Sequence, residues 1–278
     1  MKLKMKLMAA AIALVAASGA NAAVTNSQAG NGELFFTIYD QGANLSDAAD
    51  DRAYVRDLGS LLNGGSLNNW VSATTTAAGL ATPLNNQGFG TLFSAAADTN
   101  LQSFLAASTD TSRLKWNIAA VDSSGTDRFL STAGSISAAQ TPNYNVFRTF
   151  ATRTDTYLAA MNPALTGESA LYSGAGAAIN LWGSNVGGAA TFSNSAGLGD
   201  STGFFVLSER ATTGTTTLAD VRQFKADSET AMEWTLAANG NLSYGAVAAI
   251  PEPSEYALML AGLGMLGFMA RRRLNNRA

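Results

Sequence analysis

From Tyr256 to Ala270 the chain reads Tyr-Ala-Leu-Met-Leu-Ala-Gly-Leu-Gly-Met-Leu-Gly-Phe-Met-Ala, without a charge, and Arg271, Arg272 and Arg273 follow at once. Nothing else in the sequence constrains the fold as much. A helix that is apolar on every side has no polar face to show to water, so it must be buried all round or lie in lipid. As a helix the stretch spans about 22 Å, or about 31 Å counted from Ile250. A bilayer's hydrocarbon core is about 30 Å thick. By the positive-inside rule the arginine cluster holds the C-terminus on the cytoplasmic side. Gly262, Gly264 and Gly267 keep the segment thin enough for close packing against another membrane helix. The expectation is a transmembrane helix over 256–270, a basic end over 271–278, and a folded body ahead of them across the membrane.

The other end points the same way. Lys2, Lys4 and Lys6 precede an unbroken apolar run from Met8 to Ala17, then Ser18-Gly19, then Ala20-Asn21-Ala22. A positive start, an apolar middle and small residues at two alternate positions form the three-part pattern of a secretory signal peptide. The expected cut by signal peptidase falls after Ala22, with Ala20 and Ala22 as its small residues; a cut after Ala23 is the second choice. The chain thus divides into a leader (1–22), an exported body (23–249) and a tail (250–278).

Pro251-Glu252-Pro253-Ser254 stands directly before the apolar run. Two prolines around one residue enforce an extended backbone, since each limits its own φ and the residue before it. An extended segment just outside a membrane is one that a processing enzyme can grip. Taken with Tyr256-Ala257-Leu258, Ala261-Gly262-Leu263-Gly264, Gly267-Phe268 and the three arginines, the series closely resembles the PEP-CTERM sorting signal of Gram-negative bacteria. The resemblance covers residues 250–273. It implies that an exosortase, a multi-pass membrane cysteine transpeptidase, recognises Pro251, Glu252 and Pro253. It further implies that Arg271 to Arg273 act as the membrane stop, that the tail is removed after transient anchoring, and that the body passes to the cell surface or outside. Proteins of this kind accompany exopolysaccharide and biofilm systems. The opening Gly32-Glu33-Leu34-Phe35-Phe36, with Asp40 and Tyr54-Val55-Arg56-Asp57-Leu58-Gly59, also resembles bodies found with such tails and implies no activity.

Chemistry in the body is narrowed by what is missing. The sequence has no cysteine and no histidine. That removes disulfides, thiolate nucleophiles, Ser-His-Asp catalysis, imidazole-bound zinc and the usual general base near neutral pH. The whole chain carries 17 basic and 20 acidic residues; removing the 7 basic and 2 acidic residues of leader and tail leaves 10 against 18. A body near −8 argues against nucleic acid or anionic lipid as its partner. Asp47, Asp50 and Asp51 cluster between Asp40 and Asp57. They could bind calcium through oxygen ligands, although their spacing fits no EF-hand, and a solvated turn or helix start is the plainer reading. Trp182, in a Gly/Asn-rich stretch, is the candidate for sugar stacking, whereas Trp116 and Trp234 sit inside strand patterns and read as core.

Strand patterns appear at Glu33–Tyr39, Arg113–Val121, Gly203–Ser208 and Asp220–Ala226. Ala231–Ala237 and Asn241–Ala246 flank Asn239-Gly240, a dipeptide that favours a two-residue type I′ hairpin turn. Helices are expected over Asn100–Ala107 and Val146–Met161, the latter ending before Pro163, and Arg52–Leu62 fits strand or helix. Ser72–Gln87 and Ala175–Asp200 look like long loops or weak edge strands. The expected fold is mainly β: an antiparallel, jelly-roll-like β-sandwich with one or two helices. The expected function is that of a non-catalytic surface or matrix protein, a substrate of signal peptidase and of an exosortase, associated with exopolysaccharide and needing no cofactor. The alternative is a secreted carbohydrate-binding or carbohydrate-active protein assisted by calcium.

Overall fold

The computed structural model describes residues 24, 32–40, 51–58, 84–85, 90–93, 95–123, 127–137, 140–141, 143–165, 167–173, 193–209, 218–226, 230–246, 261–263 and 265–266. The chain divides into two compact units, Met1–Ala246 and Val247–Ala278.

Within the first unit the described strands are β1 (Phe35–Asp40), β2 (Arg52–Asp57), β3 (Leu84–Asn85), β4 (Gly90–Phe93), β5 (Lys115–Asp122), β6 (Arg128–Ala133), β7 (Ser169–Ser173), β8 (Ala196–Gly197), β9 (Ser201–Ser208), β10 (Asp220–Lys225), β11 (Met232–Leu236) and β12 (Leu242–Ala246). Two α-helices accompany them, α1 (Thr99–Ala107) and α2 (Tyr144–Met161). Each begins where a side chain takes over an orphan N–H: Asp98 accepts from Leu101 N at 3.0 Å and Asn143 from Val146 N at 3.1 Å. The ambiguous stretch from Arg52 resolves as strand β2, paired from Phe35↔Asp57 to Asp40↔Arg52 with β1.

The expected antiparallel β class is what the structure has. Its described strands join into one curled sheet in the order β4-β12-β11-β9-β6-β5-β1-β2-β7, and among them β10–β3 is the parallel pair. The curl has a local cause. One edge of β9 is shared, with β11 on Ser201–Gly203 and β10 on Phe205–Ser208. One edge of β5 is shared in the same way between β8 at Lys115–Trp116 and β6 at Ala119–Asp122. Thr132 ties the second fork: its hydroxyl accepts from Ile118 N (3.1 Å) and donates to Asn194 O (2.8 Å).

Both faces of the central strands are buried, which explains why β1 reads as an apolar run instead of an alternation. Phe36, Ile38, Tyr54, Trp116 and Ile118 point to one side, where Leu101 and Phe104 of α1 join Phe204, Trp234 and Tyr244 from the far strands. Phe35, Tyr39, Val55, Ala119 and Phe129 point to the other, against Phe150, Tyr157, Leu158 and Met161 of α2. Phe129 stacks on Phe150 with ring centres 5.2 Å apart, and Trp234 lies 4.6 Å from Tyr244. Gly32 passes so close to β5 that a methyl there would overlap the Val121 carbonyl.

The β11–β12 hairpin forms as expected, but its turn is a different one. Gly240 N donates to Ala237 O (2.8 Å) and Ala237 N to Asn241 O (2.9 Å), so the loop holds three residues, Ala238 to Gly240. Gly240 has φ +82°, the left-handed residue that closes a three-residue hairpin. Asn239 accepts from Asn241 N through its own side chain (3.1 Å), a local bond that competes with the two-residue turn.

Candidate functional site

Among the described residues, three clusters of charged side chains stand out inside the body. The first lies where α1 starts. Asp98 caps that helix and also accepts from Tyr54 Oη (2.8 Å), Arg56 Nη1 (2.5 Å) and Ser169 Oγ (3.3 Å). Arg56 reaches on to Glu168 Oε2 at 2.5 Å, and Asn100 donates to Ser169 Oγ at 3.0 Å. Burial works against the Asp98 charge, but the Leu101 N–H, the Tyr54 hydroxyl, Arg56 and Ser169 together hold its carboxyl below the usual range. Burial, and then the same carboxylate, push the Tyr54 hydroxyl well above its ordinary value.

The second cluster is at the opposite end of β2. Register sets Asp40 opposite Arg52, and the pair closes at 3.1 Å with Asp40 fully buried. Arg113 approaches the same carboxylate at 3.8 Å, and the Arg52 guanidinium lies 5.9 Å from the Phe104 ring centre. The third cluster is at the β5–β6 end, where Arg128 pairs with Asp122 out of water. Asp127 N donates to Glu209 Oε2 (3.3 Å), and Glu209 N to Asp127 O (2.8 Å). Burial, then Glu209 and Asp122, push the Asp127 carboxyl up, with Arg148 opposing.

These clusters cross-brace strands. Asp98, Asp40 and Asp122 each face a guanidinium, so each carboxylate is neutralised where it sits. Among the described residues a groove of about 560 Å³ opens beside β10, lined by Thr141, Phe205, Leu218, Asp220, Gln223 and Lys225 among others.

Of the residues expected to matter in the body, Asp51 is described and buried at 4% exposure beside the Asp40–Arg52 pair. Asp47, Asp50 and Trp182 lie outside the described residues. Among the described residues no three acidic side chains are grouped so as to hold a metal ion. Trp116 and Trp234 are fully buried, as expected, and Trp116 Nε1 donates to Gly197 O at 2.7 Å.

The leader with Ala20 and Ala22, the Pro251-Glu252-Pro253 segment and Arg271 to Arg273 also lie outside the described residues, as does most of the 256–270 span. In the second unit Ala261–Leu263 and Met265–Leu266 are helical, with Leu263, Met265 and Leu266 exposed at 58%, 66% and 61%. No helix among the described residues is long and apolar enough to cross a membrane. Residues 249–273 match the profile of the PEP-CTERM protein-sorting motif. The chain carries a PEP-CTERM sorting tail. That motif implies export and exosortase-mediated sorting to the surface, and its matched span takes in Pro251, Glu252, Pro253 and all three arginines. No curated protein and no solved structure matches the chain.

Sequence reasoning passed over the Tyr54–Arg56–Asp98–Glu168 cluster. Asp98 stands two residues before the helix expected over Asn100–Ala107 and directly before the one that forms, Thr99–Ala107, a capping signal that could have marked it. Nothing in the one-dimensional pattern ties it to Arg56, which lies 42 positions away.

Proposed function

We propose that this is a non-catalytic surface or matrix protein, delivered by its PEP-CTERM tail and associated through its body with extracellular polysaccharide. The observation that carries the reading is the match over residues 249–273, directly after the last strand of the body. In this reading the apolar span holds the tail in the membrane, Arg271 to Arg273 keep the C-terminus cytoplasmic, and the exosortase cuts near Pro251. The exposed Leu263, Met265 and Leu266 support it, because adjoining large apolar side chains exposed to water call for lipid or a partner. The chain's lack of histidine and cysteine and the internal pairing of Asp40, Asp98 and Asp122 support a body without catalysis.

Fractionation tests the address. In cells lacking the sorting enzyme the chain should accumulate as an uncut, membrane-held precursor; unchanged release of a shortened chain would refute the reading. The alternative, a carbohydrate-binding or carbohydrate-active body, draws on the groove where Phe205 lies beside Asp220, Gln223 and Lys225. Binding of the exported chain to the cells' own polysaccharide, with and without a calcium chelator, tests that alternative: release by chelator or turnover of the polymer favours it.

A further inference from the structure

Val24 is the second residue past the expected leader cut, and it is built into the body. It is 1% exposed and belongs to the apolar cluster of Phe35, Phe129 and α2. One side chain satisfies both of its backbone groups: Val24 N donates to Asn162 Oδ1 (3.1 Å) and Asn162 Nδ2 donates to Val24 O (3.0 Å). A primary amide can offer a donor and an acceptor to one residue as a neighbouring strand does. Asn162 is well placed for this. Its own N–H bonds to Leu158 O at the end of α2, its carbonyl accepts from Leu165 N (3.1 Å), and Pro163 follows. With its backbone committed on both sides, its side chain is held toward the chain start.

We propose that Asn162 is the seat of the mature N-terminus, and that the seat closes only after the leader is cut between Ala22 and Ala23. The inference rests on the leader being a signal peptide. A peptidase must hold several residues on each side of its scissile bond extended in its own groove, and Val24 cannot lie there and in the apolar cluster at once. Moreover, only six residues separate Ala17, the end of the apolar stretch, from Val24, a reach over seven residue steps of at most about 25 Å, so a body closed on Val24 would be pressed against the membrane. The cut adds water across the Ala22–Ala23 peptide bond, leaving a carboxylate on Ala22 and an ammonium on Ala23. The seat also selects between the two candidate cuts. Cleavage after Ala23 would place the ammonium on Val24 itself, among apolar side chains, where a charge is costly.

The test uses the full exported chain, purified from membranes in detergent, beside a precursor made uncleavable by Ala20→Leu and Ala22→Leu. N-terminal sequencing reads the cut, and hydrogen exchange reads the peptide containing Val24. The expected result is a chain starting at Ala23 whose Val24 amide is protected, and a precursor whose Val24 amide exchanges freely. Asn162→Leu should abolish that protection and lower Tm by about 4–8 °C, the loss of two hydrogen bonds in a body of this size. Asn162→Asp, which keeps the acceptor and loses the donor, should fall between. A start at Val24, equal protection in the uncut precursor, or unchanged protection in Asn162→Leu would overturn the proposal. A chain that starts at Ala23 with Val24 unprotected sinks the seat alone, whereas an exported chain that keeps Met1 sinks the leader and the proposal together.

Discussion

Replacing Asp98 by alanine should be among the most damaging single changes in the body, and the contacts of its carboxylate say by how much. The substitution removes the cap of α1, worth about 1 kcal/mol. It leaves the buried Tyr54 hydroxyl without its acceptor, at about 1–3 kcal/mol, and strips one of two carboxylates from Arg56, whose side chain is 11% exposed. Because one atom, Oδ2, serves both Tyr54 and Arg56, the terms do not add fully. The expected total is about 4 kcal/mol, within the range for removing one partner of a buried pair. Asp98→Asn keeps an oxygen for Leu101 N and the shape of the site, and should cost about 1–2 kcal/mol. Tyr54→Phe should cost about 1 kcal/mol alone and nothing further in Asp98→Ala, where the hydroxyl is already orphaned. Urea denaturation followed by tryptophan fluorescence reads all four, since Trp116 and Trp234 are buried in the same cluster as Tyr54. The reasoning fails if Asp98→Ala lies within about 1 kcal/mol of the parent, or if Tyr54→Phe costs the same in both backgrounds. The pH dependence has a definite sign. The Asp98 carboxyl is held below its ordinary range in the fold, so its contribution is present above the unfolded value of about 4 and is lost as pH falls through the lower folded value. Asp98→Asn should flatten that acid limb.

Three further outcomes follow from particular residues. Gly240→Ala forces a side chain into φ +82° and should cost about 1–2 kcal/mol by denaturant titration. Trp116→Phe removes a filled volume and the donor to Gly197 O, and should cost about 1–3 kcal/mol. Asp127, pushed up by burial and by Glu209 and Asp122, favours its protonated form in the fold, so its contribution is lost as pH rises through the folded value. Asp127→Asn should therefore raise the thermal midpoint at pH 7 and leave it nearly unchanged in acid; a lower midpoint at pH 7 would contradict the assignment.

Much of the fold was legible where a local rule acts without rivals. The strand expected at Arg113–Val121, with Leu114, Trp116 and Ile118 on one face, is β5, and those three residues share one apolar cluster. The helix expected over Val146–Met161 is α2, begun two residues earlier by the Asn143 cap. The hairpin at Asn239-Gly240 was legible as a hairpin but not as a turn type, because Asn239 has two local bonding options and the flanking strands choose between them. The Arg52–Leu62 stretch carries Tyr54 and Val55 beside arginines and an aspartate, a pattern that suits either periodicity. Only the neighbours β1 and β7 make it a strand.

Taken alone, the order of residues specifies the sorting tail, because the motif is a contiguous run, Pro251-Glu252-Pro253, then apolar residues, then Arg271 to Arg273. It also specifies both α-helices and six of the twelve described strands, since periodicity and capping act over a few residues. Three-dimensional packing alone settles which strands adjoin, that the sheet forks at β5 and β9, and that both its faces are covered. It alone sets Arg56 on Asp98 and Asn162 on Val24, partners 42 and 138 residues apart. Pairing over such separations is paid for in loop-closure entropy and repaid by burial on the sheet's two faces, a balance that no local window of sequence contains.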